Sequence, residues 1–79
     1  MTVIPSCLFY VVRSFPGRGD DIKRLFRENE NFLTLCEDYE LCAEALKRWK
    51  ESASKAAPAR IREYAELLED LESEIRKSL

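Results

Sequence analysis

"NFLTLCEDYELCAEALKRWK", residues 31–50, is the stretch on which the fold turns. At about 100° per residue, Phe32, Leu35, Cys36, Tyr39, Cys42, Ala43, Leu46 and Trp49 fall within one stripe. Most charged residues lie on the other side. Acids fill the first half (Glu37, Asp38, Glu40, Glu44), and bases gather at the end (Lys47, Arg48, Lys50). That order suits the helix dipole, positive at its start and negative at its end. The spacing predicts a helix over 30–52, with Asn29 as its N-cap and Glu30 in its first turn. Glu44 and Arg48 are placed for an i,i+4 ion pair.

Beyond this stretch, "ESASKAAPA" (51–59) breaks the pattern with serines, small residues and Pro58. Proline is tolerated in a first helical turn, where its missing N–H is not needed. A further helix is predicted over 57–77. Ile61, Tyr64, Leu68, Leu71 and Ile75 are spaced 3, 4, 3 and 4, a coiled-coil-like seam. Leu67 and Leu79 border it. Arg62 with Glu66, and Glu72 with Arg76, are further candidate i,i+4 pairs.

A short connection makes successive helices antiparallel neighbours. With the turn near residue 55, the facing pairs become Leu35 with Ile75, Tyr39 with Leu71, Cys42 with Leu68, Leu46 with Tyr64 and Trp49 with Ile61. Lys47 and Glu63 meet at the flank. The predicted fold is therefore all-α: an antiparallel hairpin of two long helices. A short helix over 20–28 precedes it, capped by Asp20 and carrying Ile22, Leu25 and Phe26 on one face. Residues 20–79 form a single helical domain. Residues 1–19 hold two prolines, both glycines and many β-branched and aromatic residues. Val3 to Phe15 looks strand-like, yet no second strand exists to pair with it, and a lone strand is not stable. The segment is expected to be an irregular or mobile arm.

Seventy-nine residues bury little surface, so such a chain needs help from disulfides, metals or oligomerisation. Disulfides are poorly placed. Cys36 and Cys42 are separated by roughly 9 Å of helical rise, beyond the reach of an S–S bond. Zinc wants four ligands at close spacings, and the sequence has three scattered cysteines and no histidine. The thiols are expected to act as small apolar core residues. Leu33, Leu41 and Leu67 are left at the stripe edges or beyond, which points to a homodimer closing a four-helix-like core.

The absence of histidine also removes the usual base of a nucleophilic triad and the Glu-x-x-His ligands of di-iron bundles. No Walker-type loop is present; "PGRG" (16–19) reads as a plain turn. A net charge of −2 and a pI near 5.2 argue against a nucleic-acid footprint. The longest apolar run, Cys7 to Val12, is far short of a membrane span, and no signal-peptide pattern precedes it. The chain reads as cytoplasmic with reduced thiols.

"NFLTLCEDYELCAEALKRW" (31–49), followed by "REYAELLEDLESEI" (62–75), resembles a group of small uncharacterised bacterial helical proteins. These share a Phe-x-x-Leu-Cys-Glu-Asp-Tyr core, a late Trp, and a Glu-Tyr-x-x-Leu-Leu helix after a short connection. The arrangement is also distantly similar to the YdcH-like family of helical hairpins. The resemblance covers residues 20–79 and implies a bacterial, helical, non-enzymatic protein without a cofactor.

The expected function is a self-association or protein-interaction module. Its core and interface would be built from Phe32, Leu35, Cys36, Tyr39, Cys42, Leu46, Trp49, Ile61, Tyr64, Leu68, Leu71 and Ile75. The alternative is a thiol- or metal-responsive regulator using Cys7, Cys36 and Cys42. Thiol accessibility separates the two.

Overall fold

The computed structural model describes residues 5–79, and over these the chain is all-helical. Four helices follow one another: α1 (Ser6–Ser14), α2 (Gly19–Glu28), α3 (Glu30–Lys50) and α4 (Ala57–Ser78). Helix α3 is the hub. The other three all pack on it, and α1 and α2 also pack on each other.

Helix α1 corrects the expectation of an irregular arm. Pro5, in extended backbone, precedes its first turn. Cys7 and Val11, four residues apart, point inward and are buried. With no strand among the described residues to pair with, the backbone groups of this β-branched segment are satisfied within a helix, and packing on α3 overrides local propensity. The arm therefore belongs to the core rather than lying outside the domain. Residues 1–4 of the expected arm lie outside the described residues.

The turn from α1 into α2 passes through Gly17, whose φ of 84° is the left-handed conformation that glycine adopts without steric cost. Helix α2 starts one residue before the expected cap, so Asp20 and Asp21 occupy its first turn. Asp21 is held there by Arg18 at 3.1 Å and Arg24 at 3.4 Å. Only Asn29 separates α2 from α3. It ends one helix in extended backbone and caps the next, its Oδ1 accepting the Phe32 N–H at 3.1 Å. That cap is the one the sequence predicts.

Helix α3 ends at Lys50, two residues earlier than predicted. In the connection, the hydroxyls of Ser52 and Ser54 accept the N–H groups of Ser54 and Ala56. These local bonds satisfy backbone that no helix serves. Pro58 stands in the first turn of α4.

The central cluster of buried residues is Cys7, Val11, Ile22, Phe32, Cys36, Tyr39 and Ile75. It draws on all four helices. Leu25, Leu35, Leu68, Leu71 and Leu79 pack against it as half-buried neighbours. Two polar contacts tie α3 to α4: Cys42 Sγ donates to the Tyr64 carbonyl at 3.3 Å, and Tyr39 Oη to Glu72 Oε1 at 3.0 Å. The numbers fall along α3 as they rise along α4.

Candidate functional site

Each sequence-predicted interface residue falls on α3 or α4 and is buried or half-buried. Phe32, Cys36, Tyr39 and Ile75 meet in the central cluster, with Leu35, Leu68 and Leu71 packed on it. Cys42 is buried outside that cluster. Leu46, Trp49, Ile61 and Tyr64 are half-buried nearer the connection.

The thiols are enclosed. Cys7, Cys36 and Cys42 are all free and buried. Burial, the neighbouring Cys7 and Glu37 push the Cys36 thiol up to about 12 from its ordinary 9.0. Burial, helped by Glu40 and Glu37, also raises Cys7, and burial alone raises Cys42. The thiolate is the reactive form, so these positions are poor nucleophiles and poor metal ligands in the folded chain. Among the described residues, no three His, Cys, Asp or Glu side chains gather as a metal site. Nor is any helix long and apolar enough to cross a membrane.

Polar groups near the core serve structure. The Tyr39 hydroxyl gives its proton to Glu72 and lies 2.9 Å from Ser14 Oγ, joining α1, α3 and α4. Burial first, and then Glu72, raise its pKa. Tyr10 donates to Glu44 Oε1 at 3.0 Å, tying α1 to α3. These contacts correct two of the predicted ion pairs. Glu44 serves Tyr10 rather than Arg48. Glu72 serves Tyr39, while Arg76 lies over the Phe15 ring at 5.9 Å. Arg62 with Glu66, and Lys47 with Glu63, form no ion pair among the described residues; Glu63 pairs with Arg60 at 2.9 Å.

What remains chemically distinctive lies on the surface. Leu41 is 66% exposed and Leu67 45%, and both border a shallow groove of about 400 Å³ between α3 and α4. Cys42, Ala45, Tyr64 and Leu71 also line it, with Asp38 and Arg48 at its edge. A second, larger groove of about 970 Å³ lies between α1 and α2. Leu8, Phe9, Val12 and Phe26 give it an apolar lining, and Phe9 is 59% exposed. The sequence reading marks Leu41 and Leu67 but misses Phe9, because the run around it resembles a strand. The available signal is the i,i+4 spacing of Cys7 and Val11, which fixes an inner face and leaves Phe9 outside it.

Comparison with protein-family models, with curated proteins and with solved structures finds no match.

Proposed function

We propose that this chain is a non-enzymatic interaction module: an antiparallel helical hairpin of α3 and α4, braced by α1 and α2, whose partner is a second copy of itself. The smallest assembly is a homodimer. The observation that carries this reading is the pairing of Leu41 and Leu67, two large exposed apolar side chains on adjacent helices flanking one groove. Single exposed leucines are ordinary, but an apolar patch on so small a domain favours a contact. The lack of histidine and the enclosure of all three thiols support a non-enzymatic role. The same enclosure weighs against a thiol-responsive regulator.

Sedimentation equilibrium tests the proposal. The wild-type chain is expected to associate at tens of micromolar, corresponding to roughly 6 kcal/mol of binding free energy. Replacing both Leu41 and Leu67 with Lys should leave a folded monomer of unchanged helicity. A wild-type chain that stays monomeric at about 100 µM overturns the reading.

A further inference from the structure

Self-association through Leu41 and Leu67 requires a matching surface on the second copy. We propose that this surface is the α1–α2 groove: the hairpin face of one copy seats in the Phe9-lined groove of the next, head to tail. The inference rests on the self-association reading and names both halves of the contact.

Shape comes first. The α1–α2 groove is the larger of the two described concavities, and its apolar lining includes a phenylalanine more than half exposed. A concave apolar surface of this kind fits the apolar edge of a helix. Leu67 on α4, with Leu41 beside it, is such an edge.

Charge gives the direction. Lys23, Arg24 and Arg27 stand along the groove on α2. Asp21 is paired with Arg18 and Arg24, which leaves Lys23 and Arg27 against Asp20 in the groove. The hairpin face has the opposite sign. Glu37 stands four residues before Leu41 and Asp70 three residues after Leu67, so each shares a helix face with its leucine. Asp38 and Arg48 both line the hairpin groove and offset each other, so the negative sign of this face comes from the flanking Glu37 and Asp70. The whole chain follows the same division. Residues 1–27 carry five basic and two acidic side chains, and residues 28–79 carry eight and thirteen, so the two segments bear +3 and −5. A two-fold pairing of hairpin faces would set the acidic segment against its own copy, which like-charge repulsion opposes. Head-to-tail docking sets −5 against +3. Such a contact is heterologous, so it extends into a ring or a chain unless an end is capped.

The test uses two full-length variants. Phe9→Glu spoils the groove and keeps the hairpin face; Leu67→Lys does the reverse. Both sites are exposed, so circular dichroism should match the wild type. Each variant alone is expected to lose self-association by at least about tenfold, as truncation of a central apolar anchor does. Mixed in equal amounts, they should form a one-to-one pair that grows no further, since one supplies the intact face and the other the intact groove. Raising ionic strength from about 0.05 M to about 0.5 M should weaken wild-type assembly; indifference to salt overturns the charge-matched docking. If Phe9→Glu still associates and the mixture fails to rescue Leu67→Lys, the head-to-tail contact is wrong and self-association by another face stands. A wild-type chain that stays monomeric overturns both. Phe9-dependent binding of a monomeric chain to anionic vesicles would assign the groove to lipid and overturn the proposal.

Discussion

Cys36 is fully buried, among side chains from α1, α2, α3 and α4. A thiolate there would lose its hydration without gaining a cation, and so the neutral form persists to about pH 12. This has a consequence for stability. Below pH 9.0, the ordinary value for the thiol, it is protonated in both folded and unfolded chains and adds no pH dependence. Between there and about 12 the unfolded chain ionises while the folded chain does not. Stability contributed by this group is thus intact below the lower value and lost as pH rises through the window. Each pH unit should remove about 1.4 kcal/mol per thiol held neutral. Urea midpoints followed from neutral to strongly alkaline pH should fall accordingly, and Cys36→Ala should flatten the decline. A slope unchanged in that variant would show that Cys36 does not carry it. Cys7 and Cys42, also raised, add to the same decline.

At the scale of the element, Asn29 has two duties within one residue. It terminates α2 by donating its N–H to the Leu25 carbonyl, and it begins α3 by accepting from Phe32. The chain can turn so sharply because the Asn side chain replaces the carbonyl that the first helical N–H groups lack. Asn29→Ala should cost about 1 kcal/mol in chemical denaturation. Asn29→Asp or Asn29→Ser should recover most of it, since either side chain can accept the same bond; equal losses in all three would refute the capping role. The cap was legible in the sequence because it depends on one local hydrogen bond. Helix α1 was not, because its helical state depends on a neighbour. Valines and aromatics favour a strand when a pairing edge exists. Here Cys7 and Val11 meet the core built by α3 with Ile22 of α2 and Ile75 of α4, and the segment meets it as a helix.

For the whole molecule, the described chain extends 42 × 30 × 22 Å and is built around a small core. A domain of this size has little stability to spare, so association should be visible in its melting. A partner that binds only the folded chain raises the melting temperature by mass action. A tenfold rise in chain concentration should therefore raise Tm by a few degrees, given about 4–8 °C per kcal/mol for domains of this length. Phe9→Glu and Leu67→Lys should each remove that dependence. A Tm independent of concentration across two decades, in the wild type, would deny any coupling of folding to self-association. The division of charge between residues 1–27 and 28–79 belongs to this scale as well. It can be counted along the chain, but its bearing on assembly appears only once α1 and α2 share a groove.

The amino-acid order alone determined the helical class, the long helices α3 and α4 and the Asn29 cap. Those features follow from periodicity and from bonds between near neighbours, both of which are written locally. Tertiary structure decided the state of residues 6–14, the partners of Glu44 and Glu72, and the exposure of Phe9. Each of these turns on which surfaces meet across more than twenty residues of chain, and local spacing carries no record of such meetings.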